Sequence, residues 1–278
     1  MSRVVNMSIN NLLEIMSRLR DPKNGCPWDI EQTFETIAPF TIEEAYEVHE
    51  AISNNNYDNL KDELGDLLLQ IVFHSKIAEE LQLFCFDEVV ESICKKMVER
   101  HPHVFGHEKI ETADEQLASW ENIKAKEREI KSDNQSEPLS ALSGVSVAYP
   151  ALLRAEKLQK RAARVGFDWK ETEQVLNKLD EEVSELKEVL NKNCEKFRLE
   201  EELGDILFTC VNLARHINIE PETALHKANR KFIQRFQHVE TLLKKEMNIK
   251  PENADFSELE ERWKRAKKIK RAQLNNIN

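Results

Sequence analysis

Glu63-Leu64-Gly65-Asp66 recurs unchanged as Glu202-Leu203-Gly204-Asp205. Each copy follows a second acidic cluster, Glu43-Glu44-x-x-Glu47 in the first half and Glu181-Glu182-x-x-Glu185 in the second, at an interval equal to within one residue. Side chains three or four apart share a helix face. Each half therefore presents two acidic pairs on successive helices, joined closely enough to pack together. Carboxylates gathered in a bundle repel unless a divalent cation sits among them. The pattern reads as an all-α chain carrying one metal centre built twice.

Periodicity outward from these motifs predicts helices over residues 9–19, 41–53, 58–81, 87–100 and 114–131 in the first half. Thr41-x-x-Glu44 has the form of a capping box and opens the second of these. Residues 21–29 hold two prolines and a glycine and cannot be one continuous helix. The second half repeats the plan, with helices over 150–164, 171–190, 197–216, 222–247 and 257–273, a break at 165–169 and a turn at 191–194. No stretch reads as a β-strand. The expected domains are 1–130 and 145–278, the latter catalytic, joined by a polar linker over 131–144.

Composition agrees with a helical protein: 278 residues, 40% hydrophobic and 33% charged, with 6 Gly and 8 Pro. Two of those glycines, Gly65 and Gly204, interrupt helical runs at the same place in both halves. A mid-helix glycine costs about 1 kcal/mol against alanine, so another helix or a ligand is expected to come close there. A net charge of −11 argues against binding nucleic acid directly. Five cysteines without CxxC spacing read as free thiols in a reducing compartment. With no signal-peptide pattern and no membrane-length apolar run, the expected location is the cytoplasm.

One acidic pair alone is most often a solvated helix face, and Glu43, Glu50, Glu181 and Glu188 read that way. The combination is more specific. Asp66 is followed by Leu67-Leu68-Leu69 and Asp205 by Ile206-Leu207-Phe208, so both aspartates are expected to face a core, where an acid needs a partner. Oxygen donors without nearby His or Cys select Mg²⁺, with Mn²⁺ as the alternative, over zinc. A di-iron bundle needs Glu-x-x-His, which never occurs. Neither a His-Asp dipeptide nor a Gly-x-x-x-x-Gly-Lys loop is present. The repeat extends further, aligning Lys95–Arg100 with Arg230–Arg235, and sets Lys227 and Asn229 opposite Ser92 and Cys94.

Taken together these segments resemble the MazG family of nucleoside triphosphate pyrophosphohydrolases, within the all-α NTP pyrophosphatase superfamily. The resemblance spans nearly the whole chain. It is carried by Arg18 to Asp29 (Arg-Leu-Arg-Asp-Pro-Lys-Asn-Gly-Cys-Pro-Trp-Asp), Glu31-Gln-Thr33, His101-Pro-His-Val-Phe105, Val165-Gly-Phe-Asp-Trp169, Lys227-Ala-Asn-Arg-Lys231 and both acidic sets. It implies tandem four-helix-bundle units, a homodimer, and Mg²⁺-dependent hydrolysis of NTPs to NMP and diphosphate. The implied metal ligands are Glu182, Glu185, Glu202 and Asp205, with Glu44, Glu47, Glu63 and Asp66 as a second set. The implied nucleotide contacts are Lys178, Leu179, Asp180, Glu181 and Glu182; Arg198, Leu199, Glu200 and Glu201; Asp205; Lys227, Ala228, Asn229, Arg230 and Lys231; and Trp263. The first half keeps the acids but departs from Lys-x-Asn-x-Lys, which marks it as a structural or regulatory copy.

An NTP carries about four negative charges, so its hydrolysis depends mostly on positioning and neutralisation. Lys227 and Lys231, four apart, suit a grip on the triphosphate, with Asn229 between them and Lys231 counted among the catalytic groups. Trp263 lies in a basic helix end and reads either as ordinary packing or as a base-stacking lid with Lys267 near phosphate. Trp28 and Trp169 read as packing anchors, and His101 and His103 as caps of a helix end. The alternative function is a non-catalytic nucleotide-sensing or partner-docking helical module. A purely structural repeat is a third reading.

Overall fold

The computed structural model describes residues 8–107, 109–112, 115, 116, 119, 120, 123, 140–191 and 195–275, with side chains described to residue 268. The described chain contains helices and turns without a strand, and it divides into two compact units, Met1–Lys131 and Ser132–Asn278. No described helix is long and apolar enough to cross a membrane. The all-α expectation holds.

In the first unit, α1 (Ile9–Leu19) starts at Ser8, which exchanges capping hydrogen bonds with Asn11. A short α2 (Pro27–Glu31) begins with Pro27, where a missing N–H costs nothing. Then come α3 (Phe34–Ser53), α4 (Tyr57–Glu80), α5 (Phe86–Glu99) and the single turn α6 (Pro102–Phe105). The pair α3 and α4 packs most extensively, and α1 lies against α4. Met16, Ile37, Val72, Phe73 and Ile77 form the buried cluster between them. Arg20, almost wholly buried, ties the 20–32 loop to this core. Its Nη2 donates to Glu80 at 2.7 Å, and its Nη1 donates to the carbonyls of Asp29 and Gln32.

Helix α3 begins seven residues earlier than the capping-box reading placed it. Thr33 is the N-cap, accepting from the Thr36 N–H at 3.4 Å, and Pro39 sits inside the helix. Pro39 is the sixth residue of the helix and gives up the N–H that would reach the Glu35 carbonyl, yet the chain continues through it. Thr41 is thus interior, and its hydroxyl bonds His74 Nε2 on α4 at 3.0 Å. His101 does close a helix end: its Nδ1 bonds the Met97 carbonyl of α5 at 2.6 Å. Most of the helix expected over 114–131 lies outside the described residues, as do 131–139 and 192–194.

The second unit comprises α7 (Ala151–Arg164), α8 (Thr172–Asn191), α9 (Lys196–His216), α10 (Pro221–Met247) and α11 (Phe256–Asn275), the last two separated by a 3₁₀ turn at Pro251–Asn253. Here α8 and α9 form the principal pair, α7 packs on α9 and α10, and α10 on α11. Val175, Val189, Val211, Val239, Leu243 and Ala266 are among its buried apolar residues. Gly166 ends α7 in the left-handed region, at φ 85, which a glycine adopts without a Cβ penalty. Two residues on, Asp168 is gripped by both terminal nitrogens of Arg215 and by His216 Nε2 at 3.2 Å. That latch holds the α7–α8 loop against the C-terminal end of α9.

Candidate metal centre

Each principal helix pair brings its acids together. One carboxylate oxygen from each of Glu44, Glu47 and Glu63 lies within 4.8 Å of the others, and the same is true of Glu182, Glu185 and Glu202. Closing such a triplet on one Mg²⁺, with its oxygen ligands at about 2.1 Å, needs movement on the order of half an ångström. Glu182 is 5% exposed. Glu44 Oε2 is fully buried with no hydrogen-bond partner. Oxygen-only donors, mutual repulsion and an orphaned acceptor are what a hard divalent cation would satisfy.

Proton affinities record the crowding. Desolvation, then the Asp66, Glu47 and Glu43 charges, raises the Glu44 carboxyl above its ordinary range. Desolvation and the neighbouring Glu47 do the same to Glu63. Glu185 is raised by desolvation and then Glu182. In the second unit a cation opposes this: Lys178 Nζ lies 2.7 Å from Glu181 and 2.9 Å from Glu182. Those two carboxylates push the Lys178 ammonium above its usual range. Arg198 stands 3.9 Å from Glu202.

The aspartates do not face a core. Asp66 and Asp205 are exposed and join neither triplet. Asp66 shares a helix face with Gln70, Phe73 and Ile77, but α1 covers only the later part of that face, through Met16. The glycines likewise differ from expectation. A Cβ placed on Gly65 or Gly204 would meet nothing within 4 Å, so among the described residues no other helix comes close to either.

Lys227, Asn229 and Lys231 are exposed on α10 and make no ion pair or hydrogen bond with the acids. Of the other nucleotide positions, Lys178, Leu179 and Asp180 lie on α8 beside Glu182, and Arg198, Leu199, Glu200 and Glu201 on α9 beside Glu202. Ala228 and Arg230 flank Asn229 on α10. Trp263 packs on Phe232 at 5.2 Å between centroids, and Arg235 and Lys267 approach its ring at 5.8 and 6.0 Å.

The two centres differ in ways that sequence reasoning missed. Aligned on their acids, Lys178 is matched by Phe40 and Arg198 by Asn59, whose amide donates to Glu63 at 3.0 Å. Extending the repeat by a few residues would have found both.

A family model of the MazG nucleotide pyrophosphohydrolase domain matches twice, at residues 32–105 and 170–240. Each match contains one complete acidic set. The chain belongs to the MazG family. Full-length similarity accompanies the domain matches. A nucleoside triphosphate pyrophosphohydrolase of Escherichia coli K12 is 46% identical over 94% of this chain and 97% of its own length. The nucleoside triphosphate pyrophosphohydrolase/pyrophosphatase MazG of Thermotoga maritima is 43% identical over 92% and 94%. Bacillus subtilis YabN, called uncharacterized, is 41% identical over 92% of this chain and 51% of its own. Two MazG domains in tandem thus account for the duplicated motif.

Proposed function

We propose that this protein is a Mg²⁺-dependent nucleoside triphosphate pyrophosphohydrolase, converting NTP and water to NMP and diphosphate at its C-terminal centre. Family membership and full-length likeness to proteins of that name make it a hydrolase of nucleoside triphosphates. The observation favouring the C-terminal centre is the Glu182–Glu185–Glu202 triplet flanked by Lys178 and Arg198. A divalent ion held by those glutamates, with Asp205 at the rim, would neutralise phosphate charge and lower the pKa of a bound water.

The protein's own groups supply the rest. Lys227 and Lys231, one turn apart on α10, neutralise the triphosphate, and Asn229 donates a hydrogen bond beside them. Water oxygen bonds to the α-phosphorus as the bond to the bridging α–β oxygen breaks. A glutamate of the cluster accepts the water's proton, and diphosphate leaves with the bond's electron pair. Trp263, with a cation on its ring, stacks the base.

The N-terminal set of Glu44, Glu47, Glu63 and Asp66 lacks equivalents of Lys178, Arg198, Lys227 and Asn229, which favours a structural or regulatory role. Dimerisation fits an apolar stripe repeated in both units: Leu64, Leu68 and Ile71 on α4, and Leu203 and Leu207 on α9, all at least 38% exposed beside the open glycines. The deciding experiment measures diphosphate and NMP from a panel of NTPs and dNTPs, with and without Mg²⁺. Orthophosphate in place of diphosphate, or no metal-dependent turnover at all, ends this reading and leaves the nucleotide-sensing alternative.

A further inference from the structure

Lys227, Lys231 and Arg235 follow one another at four-residue steps along α10, a ridge on which each step rises about 6 Å. The two lysines are exposed, whereas Arg235 is half-buried. Arginines nearby are spent on ion pairs: Arg262 and Arg265 of α11 both hold Glu246 of α10. Arg235 forms no ion pair or hydrogen bond among the described residues. Its guanidinium approaches the Trp263 ring instead, with the central carbon 5.8 Å from the centroid. That is beyond the ~3.5–4.0 Å of atoms in contact, so the guanidinium does not rest on the ring centre. Its terminal N–H groups stay unspent beside an aromatic face.

The ring itself is held in place. Trp263 meets Phe232 at 5.2 Å between centroids, and Phe232 stacks on Phe236 at 6.1 Å with planes 10° apart. The two arginines on Glu246 tie α11 to α10 around it. The first unit builds the corresponding place differently. Arg100, aligned with Arg235, is the residue at which α5 ends. Trp120 gives its Nε1–H to the Arg100 carbonyl at 3.0 Å, so that indole meets backbone.

We infer that Arg235 contacts the substrate and reads its base: with the base stacked on Trp263, the guanidinium donates to acceptors on the base edge. This rests on the reading above, in which Lys227 and Lys231 grip the triphosphate and Trp263 stacks the base. The triphosphate occupies the first step of the ridge, and the nucleoside continues along the second toward Trp263. A guanidinium fork engages two adjacent acceptors with parallel N–H groups. Guanine offers such a pair in O6 and N7, whereas adenine sets an N–H donor beside N7. Arg235 therefore favours guanine.

Binding is measured on the full-length chain in Mg²⁺ by titration calorimetry. The probes are NTP analogues with a methylene group between the α and β phosphorus atoms, carrying guanine, adenine, cytosine or uracil, and inorganic triphosphate. The guanine analogue is expected to bind about tenfold more tightly than the adenine one. Arg235→Met should remove that preference and leave inorganic triphosphate within about twofold of wild type. Arg235→Lys keeps the charge but not the fork, and should lose the preference as well. Where Arg235→Met fails to fold by circular dichroism, Arg235→Lys decides. A guanine preference that is absent from wild type, or that survives in the folded variants, overturns the proposal. So does an equal loss for inorganic triphosphate, which would assign Arg235 to phosphate. Trp263→Ala separates this inference from the reading beneath it. Weaker analogue binding in Trp263→Ala, beside unchanged binding in the Arg235 variants, overturns the Arg235 contact and leaves base stacking standing. Unchanged binding in Trp263→Ala overturns both.

Discussion

Lys178 Nζ lies 2.9 Å from Glu182 Oε1, and Phe40 occupies the matching position beside Glu44. One acidic centre has a built-in counter-charge, and the other is left to repel itself. Removing the cation with Lys178→Met should strand the buried Glu182 carboxylate. Stability in EDTA is expected to fall by about 2 kcal/mol, seen as a drop of several degrees in melting temperature. Mg²⁺ should restore most of it. An equal drop with and without metal would count against a shared ion site.

Replacing Glu202 by Gln keeps the shape of the C-terminal triplet and removes one charge. Diphosphate release should fall at least about 100-fold. Glu63→Gln should stay within about twofold of wild type. Normal turnover in both variants would disprove the assignment of the centre, and the reverse order would move catalysis to the N-terminal copy.

Asp168 provides a pH signature. Hydrogen bonding from Arg215, and secondarily from His216, holds its carboxyl below the ordinary value of 3.8. A depressed folded value means that the stabilisation is complete above the unfolded one and is lost as pH falls through the folded one. The cost of Asp168→Asn should be about 1 kcal/mol, allowing for the partial exposure of the pair. It should be constant from pH 6 to 8 and shrink below about pH 4. Urea titrations at pH 7 and pH 3 give the comparison, and an equal cost at both would refute the latch.

Leu203 and Leu207 probe the proposed dimer. Leu203→Glu places a charge on the exposed stripe of α9 and should shift sedimentation from dimer to monomer without loss of helical circular dichroism. Gly204→Ala adds helix propensity worth up to about 1 kcal/mol and meets nothing in its own chain. Weaker association despite that gain would indicate a partner packed on the glycine. A wild-type protein sedimenting as a monomer would remove the dimer from the account.

Arg20 should be the most sensitive surface-to-core connection of the first unit. Its guanidinium, 6% exposed, bridges Glu80 and two loop carbonyls. Arg20→Met leaves those acceptors and Glu80 without a donor, at a cost of about 3–5 kcal/mol. In a two-phase melt the phase of the first unit should move while that of the second stays in place, and an equal shift of both would count against the assignment.

The long helices and the pairing of the acidic ones were legible because the repeated acids and the 3.6-residue periodicity report the same faces, whereas the short α2 and α6 were not. The start of α3 was not, since Pro39 looks like a stop signal and Thr41 like a cap, yet the extensive packing of α3 on α4 carries the helix through the proline. The environment of Asp66 and Asp205 was misread because apolar neighbours in sequence do not reveal how far a packed helix extends over a face. That each half gathers glutamates from two successive helices followed from spacing, whereas the particular ligand sets came from the family resemblance. The latch of Arg215 on Asp168 did not follow from spacing, because its partners lie 47 residues apart in sequence.

The contrast between Phe73 and Ile77 on α4 and Asn212 and His216, their counterparts in register on α9, bears on how the chain assembles. Tandem homologous domains risk trading segments while folding. An intruding α9 would thrust an amide and an imidazole among Met16 and Ile37, and the reciprocal intruder would set Ile77 where His216 meets Asp168. Divergence of the two interiors thus makes an exchange of α4 and α9 costly in both units.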